Sequence, residues 1–173
     1  MQTFLKQTRH EAYLSGGLPI LLDGGDFFQG TPVVDQTKGE CMITLLNHLK
    51  YWAACLGNHD VDYGPEQLKQ MIAKARFPVL TCNIFDAETG RLFGGLKPYL
   101  MVPFKGKNIA FIGILTPETP RISFEENVKG MVFKDPLPIV QKLSSDLRKK
   151  GANLIILLSH MGIQEDRAMV KNL

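Results

Sequence analysis

Short apolar runs of strand length alternate along this chain with stretches whose apolar residues recur at helical spacing, and that alternation restricts the fold more than any other feature. Leu18 to Leu22 reads as a buried strand closed by Asp23-Gly24-Gly25, Tyr51 to Leu56 as a second strand, and Phe77 to Ile84 as a third. Asn153 to Leu158 is a last, near-continuous apolar strand. Between them, residues 2–14 read as a helix, and residues 38–49 as another through Met42, Leu45, Leu46 and Leu49. A further helix starts at Pro65, with Leu68, Met71 and Ile72 on its apolar face. Residues 90–113 hold two β-like runs around Lys105-Gly106-Lys107-Asn108, a hairpin by its turn chemistry, and a helix from Leu137 to Lys150 stops at Gly151. Strands separated by helices predict an α/β layered architecture with a largely buried sheet.

At 173 residues and 45% apolar content, the chain is about one domain long and can bury a real core. Its 21% charged residues and mean hydropathy near zero exclude fibrous and disordered classes. The net charge of +3 comes from scattered residues, and the basic group Arg148-Lys149-Lys150 complements the dipole at a predicted helix end, so no nucleic-acid polymer is expected as a partner. Cys41, Cys55 and Cys82 form no CxxC pair and read as buried free thiols. No run of 18 apolar residues exists to span a bilayer. Lys6, Arg9, His10 and Glu11 interrupt any hydrophobic core of a secretion signal, so the polypeptide as written is expected to carry no export address.

Three of the apolar strands, at 18–22, 51–56 and 153–158, run into polar, glycine-bearing turns that hold Asp26, Asn58-His59 and His160. Open α/β sheets bind ligands beyond the carboxyl ends of their strands, so these turns are expected to converge in one crevice. The residue types suit divalent metals: a carboxylate can bridge two cations, a histidine nitrogen suits zinc, manganese or iron, and an asparagine oxygen is a neutral hard ligand. Two cations roughly 3.5–4 Å apart acidify a shared water and clamp an in-line displacement at phosphorus. A histidine outside the metal shell then steadies the phosphoryl group or protonates the leaving alcohol.

Each turn also has an ordinary structural use, as a turn closure at Asp26, a helix cap at Asn58 and sheet packing at His160. Their joint occurrence points instead to a metal-assisted phosphoester hydrolase. His10 and His48 lie on predicted helices without a partner motif and read as surface or helix-packing residues. Trp52 and Phe27 read as core or pocket-wall packing.

Gly25-Asp26-Phe27-Phe28-Gln29-Gly30, Gly57-Asn58-His59-Asp60-Val61-Asp62-Tyr63-Gly64 and Ser159-His160-Met161-Gly162 resemble the calcineurin-like metallophosphoesterases, and within them the 5′-nucleotidase family. Thr31-Pro32 after the first motif and Thr81-Cys82-Asn83-Ile84 on the third strand are similar to that branch, and the resemblance runs over essentially the whole chain. It implies a layered α-β-β-α sandwich and a metal-dependent nucleotide phosphatase, with two divalent ions (zinc, manganese or similar) in the complete enzyme and a nucleotide or other small phosphoester as substrate. It also implies that Asp26 is the bridging metal ligand and that Asn58 and His160 are ligands of one metal. His59 matches the family's catalytic histidine, and Asp62 the acid that orients it. Asp60 fits that partnership less well, because the paired acid stands three residues after the histidine. Relatives of this kind are commonly periplasmic, secreted or at the cell surface.

The chain departs from the family pattern in what it lacks: an Asp-x-His pair on a preceding strand, a later Gly-His-x-His turn, and the C-terminal substrate domain. Residues 1–173 are therefore expected to be a partial metallophosphoesterase domain, an internal piece of a larger enzyme with weak or no activity alone. Three alternatives stay open: a non-catalytic remnant that binds metal or a partner, a cyclic-nucleotide phosphodiesterase, and a sulfur-compound hydrolase, which Leu22-Asp23-Gly24-Gly25-Asp26 also resembles.

Overall fold

The computed structural model describes all residues from Met1 to Leu173. Its first half runs α1 (Gln2–Leu14), β1 (Leu22–Asp23), α2 (Pro32–Gln36), α3 (Glu40–Leu49), β2 (Ala53–Cys55), α4 (Pro65–Lys74) and β3 (Val79–Leu80). The second half runs β4 (Ile84–Asp86), β5 (Tyr99–Phe104), β6 (Lys107–Leu115), α5 (Thr119–Ile122), β7 (Met131–Phe133), α6 (Pro136–Lys149), β8 (Leu154–His160) and α7 (Ile163–Val170). One parallel sheet has the order β1-β2-β3, with Leu22 opposite Ala53 and Cys55 opposite Leu80. A second has the order β5-β6-β8, where β5 and β6 form an antiparallel hairpin and β8 lies parallel to β6. Strands β4 and β7 make a separate antiparallel pair.

The strands' two-residue period sorts their side chains into three apolar layers. From β2, Ala54 and Leu56 face Ile43 and Leu46 of α3 and Leu68 and Met71 of α4. From β6, Ala110, Ile112 and Ile114 face Val140 and Leu147 of α6. Between the sheets, Ala53 and Leu80 pack on Val102, Phe111 and the half-buried Ile156 and Leu158. Helix, sheet, sheet, helix is the resulting order, the α-β-β-α sandwich expected from the motifs.

The sheets approach most closely at Gly113 of β6, where an added Cβ would lie 2.3 Å from the Leu80 carbonyl oxygen. At that point the chain passes between the layers. After β3 the amide of Thr81 bonds to Lys97, and that of Cys82 to the Gly113 carbonyl. Asn83, fully buried, then donates to the carbonyls of Leu115 and Lys134 and accepts the Leu115 amide at 3.1 Å. A buried amide side chain satisfied on every side pins the carboxyl end of β6.

Several elements differ from the sequence reading. The first strand begins only at Leu22, so residues 18–21 are loop. The long third strand is two short ones, because Thr81-Cys82-Asn83 leaves the first sheet to bond to the second. Leu45 is exposed, and Ile43 takes its place in the core beside Leu46 and Leu49. Strand β8 is half-buried rather than enclosed, lying at the edge of its sheet, and β1 edges the other. Cys55 and Cys82 are buried free thiols, but Cys41 is only half-buried. Helix α1 buries none of its residues and leaves Phe4, Tyr13 and Leu14 exposed. His10 and His48 are exposed, as expected, and Phe27 is core. No helix is long and apolar enough to cross a membrane.

Candidate active site

The carboxyl ends of β1 and β2 in one sheet and of β8 in the sheet packed against it deliver Asp26, the Asn58-His59 turn and His160 to one place. Asp26 sits in the left-handed region with φ 64, a conformation that aspartate tolerates better than most residues. Its carboxylate reaches in two directions. Oδ1 accepts the backbone amide of His59 at 2.9 Å, and Oδ2 lies 3.2 Å from Nε2 of His160. Gly57 permits this contact, since a Cβ there would lie 2.2 Å from Asp26 Oδ1. Asn58, half-buried, stands between Gly57 and His59 on the turn that rests against Asp26.

Nδ1 of His160 lies 2.8 Å from the Gly24 carbonyl oxygen. A carbonyl only accepts, so Nδ1 donates to Gly24 and Nε2 is the ring nitrogen turned toward Asp26, the atom that would serve as a metal ligand. A backbone carbonyl holding the far nitrogen is the usual way to orient a metal-binding imidazole. Two donors sharing one cation at about 2.1 Å each stand roughly 3.0–3.4 Å apart when the angle between them is near 100°. The spacing of the Asp26 and His160 atoms is one that a shared divalent ion could occupy, and Asn58 lies on the adjoining turn. No three His, Cys, Asp or Glu side chains converge on one point.

His59 projects from the same turn with its side chain half exposed, and its Nδ1 lies 2.7 Å from Oδ2 of Asp62. The hydrogen bond to Asp62 raises the His59 pKa above its ordinary value, and the nearby charges of Asp62, Asp26 and Asp60 act in the same sense against a smaller desolvation effect. The imidazole is thus easier to protonate than a free one, and with Nδ1 on Asp62 its Nε2 is the nitrogen left for a ligand. Desolvation also raises the Asp23 carboxyl, opposed by its bond from the Gly25 amide.

Asp60 has a different place from any the sequence assigned. It does not touch His59 but lies buried behind the site, accepting the amides of Gly57 at 2.7 Å, Phe28 at 2.8 Å and Asp26 at 2.9 Å. Burial pushes its pKa up to about 7 against those three donors. One carboxylate thereby ties the β1 turn to the β2 turn. Asp35 adds a second tie, accepting the Tyr63 hydroxyl at 2.8 Å and the Gly30 amide at 3.3 Å.

A cleft of about 430 Å³ opens beside this cluster. It is lined by His59, Asp62 and Tyr63 and by Arg121, Ile122 and Phe124 from the segment after β6. That second group was not anticipated, because residues 119–128 carry no motif and join His59 in one cleft only through tertiary folding. Another cleft of about 440 Å³ lies between α6 and the β4 region, lined by Cys82, Phe85, Ile139 and Leu143. It is mainly apolar and contains no histidine.

The family model of calcineurin-like phosphoesterases matches residues 3–171. The chain belongs to that family. Members of the calcineurin-like phosphoesterase family use divalent metal ions, in keeping with the donors found at Asp26 and His160. Among relatives, a 5′-nucleotidase of Vibrio cholerae is 37% identical over 163 residues, which is 93% of this chain and 29% of the relative. Among solved structures, a 5′-nucleotidase precursor from Thermus thermophilus superposes with a TM-score of 0.82 at 36% identity, covering 92% of this chain and 31% of the other. The sulfate thiohydrolase SoxB of Thermus thermophilus superposes with a TM-score of 0.92 over 98% of this chain and 31% of that one, at 23% identity, a likeness of fold. This calcineurin-like phosphoesterase thus spans about three-tenths of the length of such relatives.

Proposed function

We propose that this chain carries the metal-binding half of a nucleotide phosphatase active site of the 5′-nucleotidase kind. The observation that supports it most is the double engagement of Asp26, whose two oxygens touch the His59 turn on one side and His160 on the other. A carboxylate so placed is suited to bridging, and Asn58 and His160 would complete the shell of one ion, zinc, manganese or a similar metal, of a pair. When bound, such cations supply Lewis-acid polarisation of the phosphoryl group and a water of lowered pKa.

His59 would meet the phosphoryl oxygens through Nε2–H and give its proton to the departing alcohol. Asp62 would hold that ring in position and favour its charged form. Asp60 would keep both turns at their spacing while staying out of the chemistry. The sequence relationship to 5′-nucleotidases supports nucleoside monophosphates as the substrate class. With a donor set for little more than one cation, turnover by these residues alone is expected to be slow.

The test pairs metal binding with phosphate release. Titration with manganese should show saturable binding that Asp26→Asn abolishes, together with slow release of phosphate from adenosine monophosphate. Chelation should stop that release and His59→Ala should lower it at least tenfold, the scale of a lost general acid. Absence of cation binding, or release indifferent to a chelator, overturns the reading.

A further inference from the structure

His160 is the last residue of an edge strand, where pairing alone fixes a side chain poorly. Strand β8 has β6 on one flank and no strand on the other, and strand ends held from one side open most readily. The two-residue period sends its side chains to opposite faces. Ile155 and Leu157 pack with the α6 layer, whereas Ile156 and Leu158 lie between the sheets. Ser159 continues the first row and His160 the second, so the imidazole turns toward the Gly24 carbonyl and Asp26 while the Ser159 hydroxyl turns the other way.

That hydroxyl has a partner of its own. It donates to Oδ1 of Asp166 in the first turn of α7. The chain reverses tightly enough for this because Gly162 adopts φ 107, a conformation open mainly to glycine, and the Asp166 amide bonds to the Gly162 carbonyl at 3.0 Å. Helix α7 is itself fixed to the α6 layer: Met169 is buried there, and Gln141 of α6 donates to the Asn172 carbonyl at 2.8 Å. No lysine or arginine nitrogen pairs with the half-buried Asp166 carboxylate, so its bond to Ser159 is the contact that side chain makes.

We propose that Asp166 is a positioning residue for the metal site, acting through Ser159 to hold the carboxyl end of β8 and with it the direction in which His160 offers Nε2. This rests on the metal-binding reading of Asp26 and His160. Adjacent residues of one strand end are fixed on opposite faces, Ser159 by α7 and His160 by the Gly24 carbonyl. Without the first tie the strand end turns about the second, and the 3.2 Å spacing of His160 Nε2 and Asp26 Oδ2 spreads over a range of distances. A cation that needs both donors then binds only the fraction of molecules with the right spacing, and its affinity falls by that fraction. Asp166 lies on the face of β8 away from Asp26, so its effect passes through the backbone.

The experiment measures manganese affinity by calorimetry, with thermal unfolding alongside, for the native protein, Asp166→Ala, Asp166→Asn, Ser159→Ala and the double variant Ser159→Ala/Asp166→Ala. Asp166→Ala should weaken binding about tenfold, as loss of an outer partner does. Ser159→Ala should do the same, and the double variant no more than either alone, because both remove one hydrogen bond. Asp166→Asn keeps an acceptor oxygen and should bind within about twofold of the native protein. Glu165→Ala removes the neighbouring charge of the same helical turn and should leave affinity unchanged, which separates positioning from long-range attraction of the cation. Titrations below every variant's unfolding transition keep the folded fraction near one, so lower global stability does not alter an apparent dissociation constant. Should Asp166→Ala fail to fold, Ser159→Ala decides the same question. Native-like affinity in the alanine variants, a loss in Asp166→Asn equal to that in Asp166→Ala, or an equal loss in Glu165→Ala overturns the positioning role, while native binding that His160→Ala removes keeps the metal reading. No binding by the native chain overturns both.

Discussion

The buried carboxylate of Asp60 accepts the backbone amide of Asp26 at 2.9 Å, joining two turns that lie 34 residues apart. Because the same oxygen also takes the Gly57 amide at 2.7 Å, one side chain sets the distance between the carboxylate and the histidine turn of the candidate site.

Removing that clamp should damage stability first. Asp60→Ala strands the amides of Gly57, Phe28 and Asp26. Buried donors left unpaired cost about 1–3 kcal/mol each, so a total near 3 kcal/mol and a Tm lower by roughly 10 °C are expected after partial relaxation. Thermal and urea unfolding measure it. A Tm within about 2 °C of the native value would show that the clamp is dispensable.

Sterics at Gly57 make a second, sharper contrast. A Cβ there meets Asp26 Oδ1 at 2.2 Å and the Asp26 amide nitrogen at 2.3 Å, whereas a Cβ at Gly24 meets nothing within 4 Å. Gly57→Ala should therefore cost about 1–3 kcal/mol as an overpacked position and weaken manganese binding, while Gly24→Ala should do neither. Similar behaviour of the two variants would contradict the close approach of the two turns.

Metal affinity should depend on both ends of the His160 ring. His160→Ala removes a donor outright, and manganese affinity measured by calorimetry is expected to fall by about 100-fold or more, beyond the loss typical of an outer partner. His48→Ala, at an exposed histidine hydrogen-bonded to Gln2, serves as the control and should leave affinity unchanged. Equal loss in both variants would point to nonspecific binding at surface imidazoles.

Alkaline pH should destabilise the fold through its thiols. Burial raises the pKa of Cys55 and of Cys82 to about 12. In the unfolded chain a thiol ionises near 8.5, so above about pH 9 the unfolded state binds fewer protons than the native one. Stability then falls as pH rises, at up to about 1.4 kcal/mol per pH unit for each thiol, until the native values are reached. Urea unfolding between pH 8 and 10.5 tests the sign. Cys55→Ala should flatten the slope, and an unchanged slope would remove Cys55 as its cause.

Much of the layering was legible because apolar periodicity survives in one dimension: Ala54 and Leu56 alternate with Ala53 and Cys55, and Val140 and Leu147 stand two helical turns apart on α6. The meeting of Asp26 and the Asn58-His59 turn was legible because residues just past neighbouring parallel strands share one edge of a sheet, while His160 reaches them from the end of β8 in the facing sheet. Strand ends were less readable. Thr81-Cys82-Asn83 has the letters of a strand, yet its hydrogen bonds go to Lys97, Gly113 and Leu115, which nothing local to it announces.

By itself the sequence determined which turns carry the donors, the α-β-β-α layers and the family, because composition, period and motif order are local properties. Tertiary structure alone decided that Asp60 is a clamp rather than a partner of His59, that Asn83 pins β6, and that Phe124 and His59 line the same cleft. These relations join positions far apart in the chain, and their geometry exists only once strand order and sheet stacking have brought the segments together.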